Sequence, residues 1–290
     1  MHTLACVACL SLSFAVMHIA FTKMHGVGND FVVIDARREE FQPHADLIRR
    51  MANRRTGIGF DQALILEAPR RPDTEVYYRI FNADGDEVEQ CGNGARCIAR
   101  LLHAETSQDS FTLDSPGGLI QARAEPDDRF AVAMGIPNFD PKSLPFEASD
   151  EALAYTLELG HGPVDIGAVS IGNPHAVIAT SSAPGAAVGE LGPEIERHPR
   201  FPQRVNVGFM EIVERDHIRL RVHERGSGET LACGTGACAA VAVGVKRGKL
   251  GEKVRVDLPG GRLMVSWGGD GESIWLTGPA EKVFEGHIEL

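Results

Sequence analysis

Apolar and polar residues alternate with a period of two over many short runs of this chain. In Glu75–Phe81 (EVYYRIF), Val76, Tyr78 and Ile80 share one face; in His217–His223 (HIRLRVH), Ile218, Leu220 and Val222 do the same. That is the signature of half-buried β-strands. Helical spacing is rarer. Ala95, Ile98, Ala99 and Leu102 recur at helical intervals after Cys91. After Cys233, Ala237–Val245 (ACAAVAVGV) is apolar on every side, and Lys246, Arg247 and Gly248 then supply stop signals. A helix apolar all round must be covered all round. The pattern predicts an α+β protein with short strands wrapped around a central helix.

The pattern also repeats. Cys91-Gly92-Asn93-Gly94-Ala95 returns as Cys233-Gly234-Thr235-Gly236-Ala237, and Glu87 and Glu229 stand at matching places before each Cys. Gly28-Asn29 matches Gly172-Asn173, Gln62 matches Asn206, Pro116-Gly117-Gly118 matches Pro259-Gly260-Gly261, and Gly135 matches Gly278. The order is kept, at a nearly constant offset of roughly 142–144 residues, which is the mark of an internal repeat. One unit runs over about 20–137 and the other over about 163–280; the join, 138–162, begins with the Pro-rich PNFDPKSLP. With the join assigned to the second unit, the expected domains are 17–137 and 138–278, preceded by an extension, 1–16. Two like domains face each other across a cleft, where small molecules bind. Cys91 and Cys233 are then expected at equivalent places on its two sides.

Composition narrows the function. The chain has 290 residues, enough for two domains, and its 43% hydrophobic content is that of a globular protein. A net charge of −11 and the lack of a clustered Lys/Arg stripe argue against nucleic acid and leave a small molecule as the expected ligand. Residues 1–20 are apolar but too few and too interrupted for a membrane span, and no Lys or Arg precedes Lys23 to form a signal-peptide n-region. Met17 opens a stretch, MHIAFTKMHG, that reads as a natural start. No membrane partner and a cytoplasmic location are expected. Cys91, Cys97, Cys233 and Cys238 contain no C-x-x-C pair, so zinc-ribbon spacing is absent from them and reduced thiols are expected.

Cys-Gly-x-Gly leading into a helix places a thiol beside the free N–H groups and positive dipole end of the helix N-terminus. Such a thiol can be drawn from its free pKa of ~8.5 towards neutrality, and the amides can hold a carboxylate. Cys97 and Cys238, inside the helices, are expected to be packing residues. Two thiols facing across a cleft could form a disulfide, bind a metal or act on opposite faces of one carbon. No His spacing completes a metal site, and inversion at carbon fits the symmetry best. That scheme needs no pyridoxal phosphate or other cofactor. No phosphate-loop string is present.

Lys23–Asp30 (KMHGVGND), Phe81–Cys97 (FNADGDEVEQCGNGARC), Gly172–His175 (GNPH) and Glu224–Ala237 (ERGSGETLACGTGA) closely resemble the diaminopimelate epimerase family. The resemblance runs from about Met17 to the C-terminus. It implies cofactor-independent epimerisation of LL-2,6-diaminopimelate to meso-diaminopimelate, in the supply of lysine and peptidoglycan precursor. It implies two pseudo-symmetric domains, each a β-barrel-like sheet around a central helix, with the active-site cleft between them. It also implies that residues 279–290 return to the first domain, and that the protein is a homodimer. Cys91 and Cys233 match the catalytic positions. Gly92, Asn93, Gly234 and Thr235 match the loops for the reacting carboxylate. Asn29, Gln62, Asn82, Asn173, Asn206, Glu224 and Arg225 match other substrate-binding positions. His175 and Glu224 match positions that tune the thiols.

Overall fold

Alternation is realised as strand throughout both repeats. The computed structural model describes residues 18–89 and 91–289, so the expectation for 1–16 lies outside the described residues. The first unit comprises β1 (His18–Gly26), β2 (Asn29–Asp35), helix α1 (Ala45–Ala52), β3 (Gln62–Glu67), β4 (Val76–Asn82), β5 (Glu87–Val88), helix α2 (Gly92–Thr106), β6 (Ser110–Ser115), β7 (Gly118–Glu125) and β8 (Arg129–Ala133). After β9 (Tyr155–Leu159) the sequence of elements recurs: β10 (Gly162–Ser170), β11 (Pro174–Ala179), α3 (Val188–Glu196), β12 (Asn206–Glu214), β13 (His217–Glu224), β14 (Gly228–Thr230), α4 (Gly234–Lys246), β15 (Lys253–Leu258), β16 (Gly261–Ser266) and β17 (Trp275–Pro279), with β18 (Glu281–Glu289) last.

Hydrogen bonding follows the repeat. In the first unit β1–β2 is antiparallel, β2–β3 parallel, β3–β4 antiparallel, β4–β6 parallel, and β6–β7–β8 antiparallel. From β10 to β17 the same signs recur in the same order. The units are sewn together where β8 meets β17 antiparallel, Val132 opposite Leu276. At the far ends, β9 pairs with β10 and β18 pairs with β1. The result is the expected α+β, two-domain, sheet-rich fold.

Burial explains the two long helices. Every position of α4 from Gly236 to Gly244 is buried, as an all-round apolar helix requires, and α2 is buried from Gly92 to Ala99. One continuous core holds Ile98 of α2, Val241 of α4, Val132 and Leu276. Two outer cores lie on the opposite face of the sheet. In one, Leu47, Ile48 and Met51 of α1 cover β1–β3, each such side chain contributing about 1.5–3 kcal/mol on burial. In the other, Val188 and Ile195 of α3 cover β9–β12. These two short helices go beyond the single prominent helix per unit read from the sequence. α1 starts where His44 Nδ1 accepts the Leu47 N–H at 3.3 Å, with Asp46 in its first turn and Arg49 and Arg50 in its last.

Candidate active site

Cys91 caps the N-terminus of α2 and Cys233 that of α4, both with extended backbone (φ −148° and −114°). This turns the first free amides of each helix towards the thiol, and Gly236 N–H donates to Cys233 Sγ at 3.4 Å. The glycine after each Cys permits close approach to the seam between the units. A Cβ on Gly92 would stand 3.4 Å from Leu276 Cδ2, and one on Gly234 only 2.9 Å from it. That second Cβ would also lie 3.4 Å from Asn93 Oδ1, so the two helix N-termini meet side by side.

Both open into a cleft of 1760 Å³. Its wall includes Asn29, Gln62, Asn82, Gly92 and Asn93 beside Cys91. From the second unit come Asn173, Glu224, Arg225, Gly234 and Thr235 beside Cys233. Asn206 and His175 are not in the wall but behind it. Asn206 is 4% exposed; its Nδ2 donates to Pro174 O (3.0 Å) and its Oδ1 accepts the Arg225 N–H (2.9 Å), which fixes the Arg225 turn. His175 is 1% exposed, with Nε2 3.0 Å from Asn173 Oδ1. Burial, helped by the Arg225 charge, pushes its pKa down to about 3. The ring is therefore neutral, and its Nε2–H donates to the amide oxygen.

Polar side chains link the thiols to the wall. Cys91 Sγ faces Asn29 Oδ1 at 3.9 Å; Asn93 Nδ2 donates to the same oxygen at 3.2 Å, and Asn29 Nδ2 donates to Asp61 Oδ2 at 3.2 Å. In the second unit Thr235 Oγ1 is 3.6 Å from Cys233 Sγ and accepts from Asn173 Nδ2 at 3.4 Å. Gln62 Nε2 donates to Asn82 Oδ1 at 2.9 Å, while Gln62 Oε1 has no partner among the described residues. That oxygen is buried behind the cleft wall.

All four described cysteines are free thiols. Burial pushes Cys91 up to about 11, against the opposing pull of the Gly94 and Asn93 amides. Burial also lifts Cys233 well above its ordinary value, with the Glu224 charge adding to it and Thr235 and Gly236 opposing. The expected fall towards neutrality is thus reversed, because desolvation outweighs the helix amides.

Several charged residues were not singled out in the sequence. Lys23, Asp30, Arg54 and Asp61 also line the cleft. Arg54 grips Asp30 with two hydrogen bonds (3.0 and 2.7 Å) and Asp61 at 2.9 Å; Lys23 bonds Asp30 and the Gly59 carbonyl. Burial acts to raise the Asp30 carboxyl, but the hydrogen bonds from Arg54 and Lys23 prevail and hold it well below the usual carboxylate range. Behind the opposite wall, Glu196, 2% exposed, accepts from His223 Nε2 (2.9 Å) and Gly226 N–H (3.0 Å), bracing the Glu224–Gly226 turn. Lys23 and Asp30 lie inside a string already quoted and Asp61 adjoins Gln62, so proximity in sequence was the available signal.

Paired helix N-termini at a cleft between two sheet-wrapped halves define a fold class that includes epimerases and isomerases. Hydroxyproline epimerase from Agrobacterium vitis shares it, with a TM-score of 0.69 at 16% identity over 94% of this chain and 93% of that one. So does a Bacillus anthracis protein of the PhzF family, with a TM-score of 0.63 at 16% identity over 94% of this chain and 99% of that one. Sequence similarity is more specific. The family model described as diaminopimelate epimerase matches residues 21–139 and 167–283. A relative from Stutzerimonas stutzeri named diaminopimelate epimerase is 51% identical over 279 residues, covering 94% of this chain and 100% of the relative. One of the same name from Azotobacter vinelandii is 50% identical over 276 residues, with the same coverage. The chain belongs to the diaminopimelate epimerase family.

Proposed function

We propose that this protein interconverts LL- and meso-diaminopimelate without a cofactor, using Cys91 and Cys233 as opposed acid and base. The observation that carries this is that two thiol-capped helix N-termini meet over one buried seam residue, Leu276, with both thiols in the wall of one cleft. One sulfur, as thiolate, takes the proton from the α-carbon; the bonding pair moves towards the adjacent carboxylate; the other sulfur, as thiol, delivers a proton to the opposite face. The amides at Gly92, Asn93, Gly234 and Thr235 receive that carboxylate, whose negative charge grows in the transition state.

The distal amino-acid end of the substrate falls to the remaining wall. Arg225 suits its carboxylate, and the Glu224 carboxylate suits an ammonium, with Gln62 beside Asn82 in the same wall. Asn29, Asn82 and Asn173 supply further amide contacts. Asn206 acts one step back, by holding the Arg225 turn. Glu224 tunes Cys233 by its charge, and His175, neutral, acts through Asn173 and Thr235 on the same sulfur. A cleft of 1760 Å³ exceeds the roughly 300–1,000 Å³ typical of small-molecule pockets, so the halves are expected to close on the substrate and exclude water.

The same reading assigns domains over 17–137, with 279–290 returning, and 138–278. It places the enzyme in the cytoplasm, in lysine and peptidoglycan-precursor synthesis; among the described residues no helix is long and apolar enough to cross a membrane. It also takes the protein as a homodimer, in keeping with the half-exposed Phe284 on the terminal strand β18.

Proton NMR in D₂O with LL-diaminopimelate, and L-proline in parallel, tests the reaction. Deuterium at the α-position together with meso product is expected. Exchange with proline but not diaminopimelate would instead place the activity with the proline-type isomerases of the same fold.

A further inference from the structure

Asp61, just before β3, lines the cleft, and its carboxylate is a junction. Oδ2 accepts the Asp30 N–H at 3.1 Å and Asn29 Nδ2 at 3.2 Å, and Oδ1 accepts Arg54 Nη2 at 2.9 Å. The Asp61 N–H donates in return to Asp30 Oδ1 at 3.0 Å. The carboxylate is thus held by a backbone amide on one oxygen and by a guanidinium on the other. From it a chain of polar groups runs inwards. Asn29 Oδ1 accepts Asn93 Nδ2 at 3.2 Å, and Asn93 Oδ1 accepts Arg96 Nη2 at 3.0 Å. Arg96, 0% exposed in the second turn of α2, is itself tied by Nε to Pro279 O at 3.4 Å.

The two ends of this chain fix its direction. An ionised carboxylate only accepts hydrogen bonds and a guanidinium only donates them. Turning either amide end for end would set oxygen against oxygen at one link and N–H against N–H at the next. Only one orientation of both amides satisfies every link: nitrogen towards Asp61 and oxygen towards Arg96. The Asn29 carbonyl, rather than its NH₂, therefore faces Cys91 Sγ, at 3.9 Å. Each NH₂ also keeps a second N–H that no described residue takes up, and both asparagines line the cleft. Asn93 Oδ1 stands 3.4 Å from where a Cβ on Gly234 would be, so the chain spans both helix N-termini.

We propose that Asp61 is a positioning residue for the epimerisation: with Arg96 as the opposite anchor, it fixes the direction of the Asn29 and Asn93 amides, so that a carbonyl faces Cys91 and two N–H groups are left for the substrate carboxylate. This rests on the two-thiol reading above. Asp61 acts through Asn29, and what it supplies is an acceptor at a fixed place rather than a contact with the substrate. Its side chain is 47% exposed, so it can be replaced without opening the core.

Asp61→Ala removes the acceptor, whereas Asp61→Asn keeps an oxygen where the Asp30 N–H requires one. In the free protein, labelled with ¹⁵N-asparagine, the side-chain amide signals of Asn29 and Asn93 are assigned by their loss in Asn29→Ala and Asn93→Ala. Asp61→Ala is expected to shift the Asn93 signals as well as those of Asn29, although Asp61 does not touch Asn93; Asp61→Asn is expected to leave the Asn93 signals in place. In turnover, Asp61→Ala is expected to raise KM for LL-diaminopimelate about tenfold with kcat within about twofold, and Asp61→Asn to bring KM back to within about twofold of the wild-type value. A merely structural role would lower kcat through the active fraction and leave KM alone, and that result would overturn the proposal. So would unmoved Asn93 signals in Asp61→Ala, a result that needs no substrate and so stands apart from the fate of the epimerase reading. An Asp61→Asn protein with KM raised about tenfold would overturn it too, by making the charge of Asp61 a direct contact of the substrate.

Discussion

Glu224 and Asn82 occupy matching ends of β13 and β4, yet one is charged and the other neutral. The same departure from symmetry separates Arg96 from Cys238. Burial is the largest influence on both thiols, and the Glu224 charge adds to it at Cys233. Because burial pushes Cys91 up to about 11, its thiolate fraction grows with pH below that value. A base must be deprotonated to act, so kcat/KM is expected to rise from about pH 6 to about pH 9, and Cys233, also raised by burial, contributes no falling limb in that range. A flat profile would show that no buried thiol limits the free enzyme. The two cysteines were legible because they recur in the same string. The standing of Asn206 and His175 behind the wall was not, since a matching motif gives residue type but not the direction in which a side chain points. Nor was the sign of the thiol shift: helix position can be read from sequence, whereas desolvation depends on everything packed around the sulfur.

Gly167 of β10 lies against α4, where a Cβ would meet Val243 Cγ1 at 2.4 Å. Val243 is β-branched and only 2% exposed, so it has little room to yield. Gly167→Ala is accordingly expected to destabilise the fold by about 1–3 kcal/mol, measured by urea unfolding; an unchanged midpoint would mean that helix and strand are less closely packed than these distances imply. Elements with a clear period were legible. β4, β13, α2 and α4 stand where alternation and helical spacing put them. α3 was hidden by Gly189, Gly192 and Pro193, which read as turn residues. Its Gly192 is there because the His223 ring packs on it: a Cβ would lie 2.6 Å from His223 Cγ. α1 was missed for its length, 8 residues, too short for a periodic signal to stand out.

At the scale of the molecule, the repeat becomes two halves joined at β8–β17, and the last strand, β18, closes the open edge of the first by pairing with β1 from His18 to His25. Removing residues 281–290 would expose the backbone of β1 and uncover Phe21, whose ring meets Phe284 edge-on at 5.9 Å between centroids. The truncated protein is expected to melt more than about 5 °C lower in a thermal scan, and an unchanged melting temperature would show that β1 holds without its neighbour. Closure of the cleft is expected to appear as a smaller radius of gyration in solution scattering when diaminopimelate is added. The central claim is that each half supplies one indispensable thiol to a single carbon, and it is tested most directly by assaying epimerisation in Cys91→Ala and Cys233→Ala, with melting curves as the check on folding. Both variants are expected to fold as the wild-type protein does and to lose epimerisation by a factor of at least about 10³, since each lacks one of two obligatory proton-transfer groups. Near-wild-type epimerisation in either would contradict the two-thiol account.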